Sequence, residues 1–248
     1  MLKINRILNT VIIATTLIIV SCSNNDDNTG PIQDYLNVPD VHFETELIEQ
    51  GIDSDGIINQ KILKSDAENV TRLDLNLSSN FGEINDLTGI EGFVNITFLS
   101  ASRHKVDEVN LSSTTKLDTL YLSGNNISNL DVSHNTNLIF LDVQSNSLSS
   151  ITGLDKAINL KDLDLSWNYF ENITITNELL EVLHMSHNNL KYLNTDGLIH
   201  LEHVFIPSNK LEVVDFSTNV SLETLLMAGN NLESINLDNN SKLTHLYI

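Results

Sequence analysis

The chain has 248 residues, a formal net charge of −20 and a single cysteine. That charge excludes the cationic footprint on which nucleic-acid binding depends, and one cysteine excludes a disulfide within the chain. The acidity reads either as a solvated surface that aids solubility or as a field that attracts a basic partner.

Residues 1–22 read as a leader rather than as fold. Lys3 and Arg6 supply a charged start, and VIIATTLIIV over 11–20 is an apolar run shorter than the ~20 residues of a membrane span. Ile19, Val20, Ser21 and Cys22 resemble a lipobox, in which the cysteine is lipidated and becomes the first mature residue. An ordinary signal peptide and a membrane anchor are the competing readings. Loss of Lys3 and Arg6 with the leader would take the formal charge from −20 to −22. Residues 23–38 are rich in Ser, Asn, Asp, Gly and Pro and read as a flexible tether. The acidic Asp26 and Asp27 soon after Cys22 resemble the surface-export signal of Bacteroidetes-type lipoproteins; a solvated linker explains them equally well. The expected location is the cell envelope, lipid-anchored to the outer membrane and exposed at the surface.

Residues 39–69 are predicted to form a cap. Asp40 can cap a helix whose Phe43 and Leu47 share a face and which Gly51 can end. Ser65, Asp66, Ala67 and Glu68 have capping-box spacing and predict a second short helix. Asp53, Ser54, Asp55 and Gly56 suggest a calcium loop, but Gly51 and Ile62 would then stand where ligands belong, so a polar turn is the better reading.

From residue 70 one pattern repeats. Leu117, Leu120, Leu122, Asn125 and Ile127 occupy positions 1, 4, 6, 9 and 11 of a 21-residue unit. The same register returns around Asn146, Asn168, Asn188, Asn209 and Asn230 at steps of 20 to 22 residues. Upstream, His104 and Ser78 take the asparagine slot; the last unit, from Leu243, is incomplete. Positions 4 and 6 alternate with variable residues, so each unit contributes a short strand with two apolar side chains on one side. One strand cannot bury them alone; stacked units form a continuous core with parallel strands. Asn125, Asn146, Asn168, Asn188, Asn209 and Asn230 are predicted to be buried as a ladder, because a side-chain amide can pair turn peptides that the core would otherwise leave unsatisfied.

These units resemble bacterial leucine-rich repeats of 21 residues, with a second, weaker pattern at Leu130, Val132 and Asn135, at Val214, Phe216 and Asn219, and at Ile235, Leu237 and Asn240. Ile151 to Leu154 and Leu193 to Leu198 look more like internalin-type units. The resemblance covers 70–248, about nine units, and residues 39–69 resemble the cap found ahead of repeats in surface lipoproteins. It implies an α/β leucine-rich-repeat solenoid, curved and β-rich, with a parallel sheet on the concave face and a small helical cap. It also implies a surface that binds proteins or glycans.

The variable strand positions are the candidate ligand-binding residues. Phe98, Tyr121 and Phe140 cluster toward the front, and His184, His203, Phe205 and Tyr247 toward the back. Asp142, Asp162 and Asp164 separate them, with Trp167 and Tyr169 where the chain leaves the strand. Grouped exposed aromatics mark a binding surface; the alternative is that they pack on one another and stiffen the sheet. No nucleophile–base set, phosphate loop or convergent histidine group emerges, so no enzyme activity, metal or cofactor is expected. The expected partner is a protein, with a glycan stacked on Trp167, Tyr169 and Tyr121 as the alternative. The membrane is expected to be contacted through a lipid on Cys22.

Overall fold

The computed structural model describes residues 33–76 and 82–248. Cys22, the leader, most of the tether and Ser78 lie outside the described residues.

The cap is built from β1 (Tyr35–Asn37), α1 (Val41–Glu49), β2 (Lys61–Leu63) and α2 (Lys64–Glu68). β1 and β2 pair antiparallel, so Tyr35–Asn37 belongs to the cap and not to a tether reaching residue 38. Asp40 caps α1 as its position predicts: Oδ1 accepts from His42 N and Phe43 N, at 2.8 and 3.0 Å. Its Oδ2 accepts from Asn85 N and Asp86 N, so one carboxylate also ties the cap to the segment before the second rung. Phe43 and Leu47 are buried, and Phe43 meets Phe93 with ring centroids 6.3 Å apart.

The second helix departs from the capping-box expectation. It begins at Lys64, with Leu63 as an N-cap lacking any side-chain bond. Lys64 N already donates to Asp34 O at 2.9 Å, so the helix grows directly out of β2 and Ser65 has no capping role. Asp66 instead accepts from Ser54 N at 3.1 Å.

Nine three-residue strands then form one parallel sheet, in rung order: Arg72–Asp74, Phe98–Ser100, Thr119–Tyr121, Phe140–Asp142, Asp162–Asp164, Val182–His184, His203–Phe205, Thr224–Leu226 and His245–Tyr247. Each pairs in register with the next, so equivalent positions form straight columns. The inward residues Leu73, Leu99, Leu120, Leu141, Leu163, Leu183, Val204 and Leu225 are fully buried. Between these strands the described residues make fragments of sheet, Asn172–Thr174 with Tyr192–Asn194 and Val213–Asp215 with Ser234–Asn236, a single bridge of Asp131 with Thr152, and 3-10 turns at Ile90–Gly92 and Leu154–Lys156. Units of 20 to 22 residues keep one sheet register because the differences are absorbed on the outer side.

Two asparagine ladders tie the rungs together. In the first, Oδ1 of Asn125, Asn146, Asn168, Asn188, Asn209 and Asn230 accepts from the position-11 N–H of the preceding rung, at 2.9 to 3.1 Å. The amide nitrogen donates to the position-6 carbonyl of that rung at 2.7 to 3.0 Å. Each side chain therefore bonds across rungs as well as within its own turn. His104 stands in for asparagine: Nδ1 accepts from Gly82 N and Nε2 faces Leu75 O, both at 3.1 Å, which selects the neutral Nε2–H tautomer. Burial holds its pKa below the ordinary value.

The second ladder runs through Asn135, Asn177, Asn219 and Asn240, which donate to outer-side carbonyls such as Leu154 O and Ala157 O from Asn177, both at 2.9 Å. Asn177 escapes a spacing search because its unit is 20 residues long, which brings it two places after Ile175 instead of three after its apolar neighbour.

Candidate functional site: the sheet face

Position 8, just before the ladder asparagine, lies in the left-handed region on rung after rung. Arg103, Ser145, Trp167, His187 and Ser208 have φ between 53° and 58° there, and Gly124 and Gly229 take the same slot. This turn drives the following asparagine inward. A non-glycine residue pays roughly 1–2 kcal/mol to adopt it, so the large side chains of Trp167 and His187 are not favoured there by the backbone. They stack on each other, with centroids 3.8 Å apart and planes within 17°. Trp167 is 54% exposed and Tyr169 58%. The indole thus stacks on His187 of the next rung and not on Tyr169.

On the sheet itself the aromatic side chains run across rungs. Arg72 lies over the ring of Phe98, its guanidinium carbon 3.4 Å from the centroid, and its Nη2 is 3.6 Å from Asp74 Oδ2. Phe98 meets Tyr121 at 5.7 Å and Tyr121 meets Phe140 at 4.7 Å. Farther along, His184 stacks flat on Phe205, at 4.5 Å and 9°, with His203 tilted against the same ring at 6.5 Å. Phe98, Tyr121, Phe140, His184, His203 and Phe205 are half-buried and pack against one another in two aromatic strips, so the groups expected at the front and back of the face also make the ring-on-ring contacts of the alternative reading. Tyr247, on the last rung, is 66% exposed.

The three aspartates differ in environment. Asp142 is 8% exposed, so it is covered by its neighbours and not presented to a partner as expected. Its Oδ1 accepts from Gln144 N at 3.0 Å. Burial pushes its pKa up, opposed by the Gln144 and Ser123 hydrogen bonds and reinforced by Asp164. Asp164 accepts from Ser166 N at 2.8 Å. Asp162 sits beside Phe140 on one side and Val182 on the other. Its pKa is also raised, first by burial, then by the charges of Asp164 and Asp142, against a lowering contribution from His184.

In the cap, Asp55 of the suggested calcium loop accepts from Ile57 N and from Asn59 Nδ2, at 2.8 and 2.9 Å, and Asp53 Oδ1 accepts from Asp55 N at 3.4 Å, while the buried Asp53 Oδ2 has no hydrogen-bond partner among the described residues. Among the described residues no group of three or more His, Cys, Asp or Glu side chains converges to hold a metal ion. Shallow depressions lie on the outer side, lined in one place by Leu130, Asp131 and Thr152 and in another by Tyr192, Val213 and Thr218. Spacing alone did not reveal the partnership of Arg72 with Phe98; the signal was their equivalent positions on consecutive units.

Among solved structures the chain is similar to the functional domain of InlJ from Listeria monocytogenes, which includes a cysteine ladder. The TM-score is 0.76 and identity 26%, over 86% of this chain and 47% of that one. It is also similar to an internalin C2 of L. monocytogenes, with a TM-score of 0.72 and 20% identity, over 85% and 94% of the two chains. A third similarity is to YopM, a leucine-rich effector protein of Yersinia pestis, at 0.60 and 21%, over 89% and 55%. The chain spans about half the length of the InlJ and YopM chains. No family model and no curated protein matches the sequence. The fold is thus that of bacterial leucine-rich-repeat proteins; the ladders here are of asparagine, and Cys22 is the one cysteine.

Proposed function

We propose that this chain is a non-enzymatic binding module of the cell envelope that docks a protein on its concave sheet face. The observation that carries the reading is the pair of aromatic strips at the variable strand positions. A purely structural solenoid has no need of large rings on the water side of three consecutive strands, at Phe98, Tyr121 and Phe140, and of two more, at His184 and Phe205, whereas aromatic anchors concentrate binding energy. Trp167 and His187, held in a backbone conformation that disfavours large residues, add to the same face.

The leader, lipid anchor at Cys22, outer-membrane attachment and surface exposure belong to the same proposal, supported by Ile19 to Cys22 and the polar linker behind them. Cys22→Ala is expected to move the protein from the membrane to the soluble fraction and to abolish labelling by a fatty-acid analogue. Equal labelling of both forms would refute the anchor.

The docking reading is tested with the native partner recovered by the intact chain. Tyr121→Ala and Phe205→Ala are expected to weaken its binding by ~2 kcal/mol or more each, while Lys156→Ala on the outer side leaves it unchanged. The reverse result would place the site elsewhere. The exposed Trp167 and Tyr169 rings favour a second reading, a glycan-binding adhesin or polysaccharide-capture accessory, which a glycan array distinguishes from the first.

A further inference from the structure

We infer that Phe140, Asp162 and Asp164 form a shelf that receives an arginine side chain of the docked protein. The inference deepens the reading that the sheet face binds a protein and rests on it.

The chain itself shows the chemistry on the first two strands of the sheet. Arg72 lays its guanidinium on the ring of Phe98, on the adjacent strand, and turns a nitrogen toward the carboxylate of Asp74. A flat cation, an aromatic face and a neighbouring carboxylate are matched there, as expected for guanidinium over ammonium. The same ring-and-carboxylate grouping returns at the middle of the sheet without its cation. Phe140 and Asp162 are register neighbours in the column that holds Arg72 and Phe98, and Asp164 lies two residues on from Asp162. No lysine or arginine pairs with Asp142, Asp162 or Asp164 among the described residues.

Asp162 is the decisive member. Asp142 and Asp164 each accept a backbone N–H, from Gln144 and Ser166, but the Asp162 carboxylate has no hydrogen-bond donor among the described residues. It is half-buried, with Phe140 and Val182 beside it on the neighbouring strands. A desolvated carboxylate without a donor is costly in the free protein, and its two acidic neighbours add to that cost, with only His184 opposing it. An arginine from outside would donate to Asp162 and Asp164 together while its plane covers Phe140. The formal charge of −20 draws such a partner toward the surface but does not distinguish arginine from lysine; the ring and the two carboxylates do.

The test is calorimetric titration of the full chain with hexa-arginine and hexa-lysine at ~0.15 M salt, an ionic strength that screens exposed charges beyond ~8 Å. The intact chain is expected to bind hexa-arginine at least ~10-fold more tightly than hexa-lysine, since only arginine offers the planar fork. Asp162→Asn with Asp164→Asn should erase that preference. Glu212→Gln with Glu233→Gln, an equal change of charge on the outer side, should retain it. Phe140→Leu should reduce the preference too; if that variant melts early, the aspartate pair alone carries the test. Equal affinity for the two peptides, or equal losses in the two charge-matched pairs, would overturn the shelf. If the shelf fails while Tyr121→Ala and Phe205→Ala still release the native partner, the docking reading stands without it. If those two leave the partner bound, the docking reading falls whatever the peptides do.

Discussion

Asn188→Ala tests the ladder most directly. Asn188 Oδ1 accepts from Phe170 N at 3.0 Å, and Nδ2 donates to Leu165 O at 2.9 Å and, at 3.3 Å each, to Met185 O and Ser186 O. Alanine removes all four bonds and supplies nothing in exchange. Phe170, Leu165 and Met185 are buried, so the Phe170 N–H and the Leu165 carbonyl are stranded in an apolar interior at ~1–3 kcal/mol each. Met185 O and Ser186 O lose only long contacts. The expected loss is therefore ~2–6 kcal/mol, toward the lower end if water enters the space left behind. Asn189 is the control next door: its side chain only accepts from Lys210 Nζ at the surface, at 2.8 Å, and Asn189→Ala should stay within ~0.5 kcal/mol. Urea denaturation followed by circular dichroism compares the two midpoints at common slope. Coincident midpoints for Asn188→Ala and Asn189→Ala would mean that the ladder does not couple the rungs, and the argument from its geometry would be wrong.

Three further outcomes are expected. A Cβ on Gly153 would lie 2.3 Å from Ser133 Cα, at φ +73°, whereas Gly197, at φ +82°, has open space around it; Gly153→Ala should therefore destabilise by on the order of 2–4 kcal/mol and Gly197→Ala by about 1 kcal/mol, and equal thermal shifts would contradict the close approach. His104 is neutral in the fold with a depressed pKa, so the unfolded chain takes up its proton first as pH falls below ~6.5; stability is complete above that pH and declines below it toward the folded-state pKa, and His104→Asn should remove this part of the decline in melts between pH 7 and 5. Trp167→Gly relieves the left-handed backbone but loses the stack on His187, two effects of ~1 kcal/mol that oppose each other; the melting temperature should hardly move while partner binding weakens, and a loss above ~3 kcal/mol would identify Trp167 as a structural residue instead.

Much of the architecture is legible in one dimension because a rung is local. Leu120, Leu122 and Asn125 lie within six residues of one another, and strand alternation followed by a turn decides which of them points inward. All nine strands of the sheet fall on the residues that the spacing predicts, and the first asparagine ladder follows from the same count. What the sequence could not decide are the relations between rungs, because they join residues about twenty positions apart and depend on how the units stack. Phe98, Tyr121 and Phe140 group together by count, but whether they stand free or pack on one another is decided by the stack, and Asp142 reads as a surface acid until its neighbours cover it. Arg72 meets Phe98 only because consecutive strands pair in register. Ser65 has capping-box spacing, yet the pairing of β1 with β2 already satisfies the N–H at the start of that helix, and tertiary context overrides the local signal. The second ladder was partly hidden for a related reason: the outer side absorbs every difference in unit length, so Asn177 drifts in sequence while holding its place in space. Local spacing determined which residues face inward; only the stacking of one rung on the next decided what the outward residues touch, and the candidate site consists of those contacts.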